Sequence, residues 1–259
     1  MDKPRTILIT GGGTGIGRAT ALHFAGAGWR VAITGRRMEP LKEVVATIHQ
    51  HGSQAMAVQA DVSQEEDMEQ AVTDVVTNFG GIDVVFANAG INGTAAPVDK
   101  LQPREWDEVI NTNLRGIFLT VHYCVPHLRQ RHGVILLHSS TQGTRIFSNF
   151  GRSAYAASKA AIVALGRMWA LELAEARIRV NTICTGPIHG TEINHNHCDS
   201  HDLDMIRLNG LKRSIPIPLG FCGSPEDVAR LVFFLASPEA RYITGTEIWI
   251  DGGISLIKG

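Results

Sequence analysis

Short runs rich in Val, Ile and Leu alternate along almost the whole chain with longer stretches in which apolar residues recur every three or four positions. Residues 5–10 (RTILIT) read as a buried strand, 15–28 as a helix and 29–34 (WRVAIT) as a second strand. A helix over 38–51 and a strand over 54–59 follow. Ser63-Gln64-Glu65-Glu66 reads as a capping box opening a helix that runs to Phe79, the serine and a glutamate three positions on satisfying two free N–H groups. Then come a strand over 82–87 and a long helix over 103–129, which Pro126 should kink or end early. Residues 133–140 (GVILLHSS) are a strand, 153–175 a long helix and 178–183 a strand. After an irregular stretch, Ser224 caps a helix with Pro225 at its first position, and 246–251 form the last strand.

Such alternation, with strands apolar along their length, predicts a parallel sheet covered on both faces: an α/β, doubly wound fold that binds its ligand at the carboxyl ends of the strands. Only the region from Thr185 to about Gly223 lacks a period. An irregular segment of that length inside a compact domain is ordinarily functional or disordered.

Composition narrows the function classes. At 259 residues, 44% hydrophobic and 19% charged, the chain can bury the core of one large α/β domain. Lys plus Arg is 24 against 25 for Asp plus Glu, so no long-range field attracts nucleic acid or an anionic membrane. Neither a signal-peptide pattern nor an apolar run of roughly 20 residues is seen, and Cys124, Cys184, Cys198 and Cys222 are scattered as reduced thiols would be. The expectation is a cytoplasmic protein whose partners are small molecules and copies of itself.

Thr10-Gly11-Gly12-Gly13-Thr14-Gly15-Ile16-Gly17 lies between the first strand and the first helix. Residues without Cβ let backbone approach a pyrophosphate, and the helix start offers it N–H groups. At the end of the second strand, where an acid would bind ribose hydroxyls, stands Gly35 followed by Arg36 and Arg37. Guanidinium groups suit a 2′-phosphate, so NADP(H) is preferred over a still possible NAD(H). The alternative is that the arginines are merely solvated. Tyr155 and Lys159, four residues apart on a helix, share a face, where a cation favours phenolate and brings the phenol toward use as a general acid/base.

TGGGTGIG, Asp61-Val62, Asn88-Ala89-Gly90, Asn113, Ser139-Ser140, YAASK and RVNTICTGP occur in the order and spacing of the short-chain dehydrogenase/reductase family, and the chain resembles that family from about Ile7 to about Gly253. The resemblance implies a single-domain Rossmann-type fold over 1–259 with a seven-stranded sheet, a substrate lid at about 187–220, a nicotinamide cofactor, and a homotetramer or dimer. It makes Tyr155 the acid/base, Lys159 the residue that holds the nicotinamide ribose and lowers the tyrosine pKa, Ser140 (or, less fittingly, Ser139) the hydrogen-bond partner of the substrate oxygen, and Asn113 the holder of a relay water. It also assigns Gly11, Thr14, Gly15, Ile16, Gly17, Asp61, Val62, Asn88, Ala89, Gly90, Gly186, Ile188 and Thr191 to cofactor binding. Two departures stand out: the usual Pro-Gly after the sixth strand is Thr185-Gly186-Pro187 here, and Thr191 comes one position late. The segment between Ser140 and Tyr155 is long and should wall the substrate pocket, with Gln142, Arg145 and Phe147 as contacts.

The activity so implied is interconversion of an alcohol and a carbonyl by hydride transfer. A catalytically silent NADP-binding sensor or scaffold is the alternative. His195-Asn196-His197-Cys198-Asp199-Ser200-His201 gathers zinc-capable donors, but their spacings match no established zinc motif, so no metal is expected and a metal-dependent hydrolase is the weaker third class. His189 and His195 are instead candidates for selecting a polar substrate, against the plainer reading of an exposed polar lid.

Overall fold

The computed structural model describes residues 4–147, 150–191, 193 and 216–257. Seven strands, β1 (Thr6–Thr10), β2 (Arg30–Gly35), β3 (Ala55–Gln59), β4 (Val84–Ala87), β5 (Val134–Ser140), β6 (Arg179–Thr185) and β7 (Glu247–Ile250), pair all in parallel in the order β3-β2-β1-β4-β5-β6-β7. The order reverses beside β1, and there the first and fourth crossovers leave to opposite sides of the sheet, opening a crevice above the strand ends.

Period-two alternation sorts the strand residues between two cores. Ile7, Ile9, Val31, Ile33, Phe86 and Leu136 face α1 (Gly15–Gly26), α2 (Met38–Gln50) and, late in the chain, a helix over Pro225–Ala236. Leu8, Ala32, Val85, Ile135 and Leu137 face α3 (Glu65–Phe79) and the helices over Gly116–Arg129 and Ser153–Glu172. With α4 at Pro103–Ile110, these three later helices are α5 (Gly116–Arg129), α6 (Ser153–Glu172) and α7 (Pro225–Ala236), and a short α8 (Ile254–Ile257) ends the described chain. Among the described residues no helix is long and apolar enough to cross a membrane.

Two local expectations are corrected. Ser63 is not a helix cap: its N–H and hydroxyl both donate to the Asp61 carboxylate, at 2.9 and 2.8 Å, and α3 starts after Gln64. The Asp67 carboxylate instead accepts the Asp61 N–H at 2.8 Å. Pro126 does not end α5, which continues to Arg129; so near the helix end the missing N–H removes only one bond. What divides the long 103–129 helix is a π-helical turn, Asn111–Arg115, and it carries Asn113. Ser224 caps α7 as expected, its hydroxyl accepting the Asp227 N–H at 3.2 Å with Pro225 next.

Candidate active site

The glycine turn is built by β1, β4 and α1 together. Gly11 and Gly15 have φ of +68° and +50°, which side chains with Cβ resist. The Thr10 hydroxyl accepts the N–H groups of Asn88 and Ala89 at 3.0 and 3.1 Å, and the Asn88 amide returns to the Thr10 and Gly11 carbonyls at 3.0 and 3.3 Å. The first bond of the α1 ladder is Arg18 N–H to the Thr14 carbonyl at 3.1 Å, so the N–H groups of Gly15, Ile16 and Gly17 precede it. No acid lies in that first turn and the Thr14 side chain does not cap it. A helix start so left is suited to a phosphate anion. Gly17 also serves close packing, since a Cβ there would run into the Gly11 carbonyl. Gly17→Ala is expected to push the turn off α1 and to destabilise the protein by about 2 kcal/mol, read as a lowered Tm.

Above the strand ends lies a cavity of about 690 Å³, reaching from Gly11, Thr14, Gly15 and Ile16 past Asn88–Gly90 to Ser140, Tyr155 and Lys159. A second, of about 310 Å³, continues from the glycine turn over Gly35, Arg36, Arg37, Asp61 and Val62. Together they form one elongated cleft, with Gly11, Thr14, Arg37, Ala89 and Gly90 common to both. A dinucleotide is long and has an anionic middle, and the donor set fits it: N–H groups at the turn, guanidinium groups at one end and a phenol with an ammonium at the other.

At that far end, α6 carries Tyr155 and Lys159 one turn apart, both buried. Ser140 ends β5 and lines the cavity, and its Oγ accepts the Gln142 N–H at 3.1 Å. Ser139 faces away and donates to the Lys159 carbonyl at 2.7 Å, which leaves Ser140 as the serine of the site. Burial pushes the Tyr155 phenol above its usual value, opposed by the Ser140 hydroxyl and then by the charge of Arg152. Burial also brings the Lys159 ammonium down to about 8. This corrects the expectation that the lysine lowers the phenol: Nζ lies 5.6 Å from the Tyr155 ring centroid and donates to the His138 carbonyl at 2.9 Å. In the protein without cofactor, desolvation outweighs any pull from the ammonium.

Other expected residues divide. Gln142, Gly186, Ile188, His189 and Thr191 line the cavity, with the Thr191 hydroxyl donating to the Ile188 carbonyl at 3.4 Å. Asn113 is fully buried below it: its oxygen accepts the Ile91 N–H at 2.8 Å, and its amide donates to Ile91 O at 2.9 Å and Ser158 Oγ at 3.2 Å. It and Lys159 approach Gly90 together, at 3.2 and 3.6 Å from where a Cβ would be. Arg145 and Phe147 are not pocket residues. The turn after Ser140 closes with the Arg145 and Ile146 N–H groups both on the Thr141 carbonyl at 2.9 Å. Ile146 therefore points in, Arg145 lies 3.9 Å over the Trp249 ring, and Phe147 is 69% exposed. His195–His201 and most of the expected lid lie outside the described residues, among which no cluster of metal donors occurs.

Sequence reasoning missed Arg152 and His138, both of which line the cavity. The signal for His138 was available as an imidazole interrupting an aliphatic strand two residues before the serine.

Comparison with known proteins gives the family of the chain. A family model described as enoyl-(acyl carrier protein) reductase matches residues 11–255. The chain is 37% identical over 260 residues to 3beta-hydroxysteroid dehydrogenase 1 of Eggerthella lenta, covering 99% of this chain and 96% of that one. A crystal structure of a 3-ketoacyl-ACP reductase from Sinorhizobium meliloti 1021 superposes with a TM-score of 0.90 at 47% identity, covering 97% and 99% of the two chains. A 3-ketoacyl-(acyl-carrier-protein) reductase from Brucella melitensis, complexed with NADH, does so at 0.85 and 31%, covering 97% and 98%. The chain belongs to the short-chain dehydrogenase/reductase family of oxidoreductases.

Proposed function

We propose that this protein is an NADP(H)-preferring oxidoreductase that interconverts an alcohol and a carbonyl. The observation that carries the reading is the placing of Tyr155, Ser140 and Lys159 at one end of a cleft whose other end is a glycine turn flanked by Arg36 and Arg37. A bound nicotinamide would supply or accept hydride. Ser140 and Tyr155 hold the substrate oxygen, and Tyr155 donates its proton in reduction and takes it back in oxidation. Lys159 holds the ribose, and Asn113 keeps the floor under it in register. Relatives named as a steroid dehydrogenase and as ketoacyl reductases support the same carbonyl-to-alcohol couple.

Preference for the phosphorylated cofactor follows from Gly35, which offers no carboxylate, and from the two arginines that line the second cavity with it. Replacing both Arg36 and Arg37 by Gln is expected to lower kcat/KM for NADP(H) about 100-fold, by removing charge-assisted bonds to a phosphate, and to change that for NAD(H) by less than about threefold. Equal losses with the two cofactors would sink the assignment. We further propose one domain over 1–259, a cytoplasmic location, and a homotetramer or dimer assembled over α5 and α6, which present exposed Phe118, Met168 and Leu171.

A further inference from the structure

His138 lies at the floor of the cleft between the glycine turn and Lys159, and its ring joins the ends of two other strands. Nδ1 is 2.9 Å from Asn88 Oδ1 and Nε2 is 3.1 Å from Thr185 Oγ1. Its partners fix the hydrogens. The Asn88 amide nitrogen donates to the Thr10 and Gly11 carbonyls, so turning that amide over would aim an oxygen at two oxygens. Asn88 Oδ1 therefore faces His138, and Nδ1 carries the hydrogen. In the neutral ring Nε2 is then an acceptor, and it takes the hydroxyl hydrogen of Thr185. Burial first, then the charge of Lys159, keep the ring neutral by holding its pKa down to about 3, against a smaller opposing effect of Asn88. With its hydrogen committed to His138, the Thr185 oxygen has only lone pairs left to offer, and Thr185 lines the cavity.

Thr185 stands where the family resemblance leads one to expect proline, which has no hydroxyl. We propose that Thr185 accepts a hydrogen bond from the carboxamide NH2 of nicotinamide, and that Asn88–His138–Thr185 is a positioning chain tying the glycine turn to the nicotinamide end of the cleft. The inference rests on the nicotinamide reading above. It deepens that reading by giving the cofactor's reactive end a contact that the motifs do not name. Thr185 is followed directly by Gly186 and, two residues later, Ile188, and all three line the same cavity as Tyr155 and Lys159.

Binding, not turnover, tests it. Dissociation constants are measured by calorimetry for NADP+, for its 3-acetylpyridine analogue, in which the carboxamide NH2 is a methyl, and for 2′-phospho-ADP-ribose, which lacks the nicotinamide. Thr185→Val is expected to weaken NADP+ about 10-fold, the usual effect of one lost hydrogen bond, and to leave the analogue and the fragment unchanged. Thr185→Ser should restore NADP+ binding. His138→Leu should weaken NADP+ about threefold, and no further when Thr185 is already Val. In 15N spectra of the wild type, His138 should be the neutral ring with hydrogen on Nδ1. Equal effects of Thr185→Val on NADP+ and its analogue, or hydrogen on Nε2, would overturn the proposal with the parent reading intact. A wild type that binds the fragment but gains nothing from the nicotinamide, or binds none of the three, overturns both.

Discussion

Tyr155→Phe is expected to abolish turnover, lowering kcat by about 1,000-fold or more, at the upper end of what a positioned general acid/base contributes. The substitution removes one hydroxyl and keeps the ring that packs with Ile91, Val109 and Ala154. Cofactor affinity should stay within about threefold and Tm nearly constant, since the lost group faces the cavity rather than the core. A purified, folded variant that turns over at the wild-type rate would refute the assignment. The direction of the phenol's shift adds a pH dependence. Because burial raises it, the protonated form prevails at neutral pH, ready to donate in reduction. Oxidation needs the phenolate, so its kcat/KM should climb with pH through the alkaline range while that of reduction falls. A bell centred near neutrality for both directions would contradict the role.

Much of this site could be read before the structure, for a physical reason. Gly11, Gly15, Tyr155 and Lys159 act through local geometry, a positive φ or one helical turn, and local geometry leaves a spacing in the sequence. The doubly wound sheet was legible because strands buried on both faces are continuous apolar runs, such as Ile7–Ile9 and Val134–Leu137. What escaped depends on which of several competing partners a side chain takes, and on how deeply the fold buries it. The Ser63 cap failed because the Asp61 carboxylate takes both the N–H and the hydroxyl of Ser63. Arg145 and Phe147 were placed in the pocket wall by proximity to Ser140, and a tight turn onto Thr141 sends both outward. His138 means little until Asn88 and Thr185, from two other strands, are set against it. The direction of the Tyr155 shift was misjudged because a cation four residues away is visible in sequence and the depth of burial is not.

Lys159→Met should separate chemistry from stability. Turnover is expected to fall at least about 100-fold once the group proposed to hold the nicotinamide ribose is gone. Yet the cofactor-free variant should be more stable than the wild type at pH 7. Lys159 is nearly fully buried and its pKa is depressed from 10.5 to about 8. Between those values the unfolded chain binds more protons than the folded one, so the free energy of unfolding rises with pH across that window. Below about 8 both states hold the proton, and the whole cost of burying the charge is present. That cost has a ceiling of about 3 kcal/mol, from 1.36 kcal/mol per unit, and loss of the bond to the His138 carbonyl offsets part of it. A gain of roughly 2 kcal/mol at pH 7 is therefore expected, shrinking as the pH is taken toward 10.5. Denaturant unfolding at neutral and alkaline pH measures both terms. A variant less stable at pH 7, or a difference that does not change with pH, would show that the ammonium is well solvated or paired in the folded chain. A destabilising charge beside an acid/base phenol is what a site selected for chemistry carries and a site selected for packing does not.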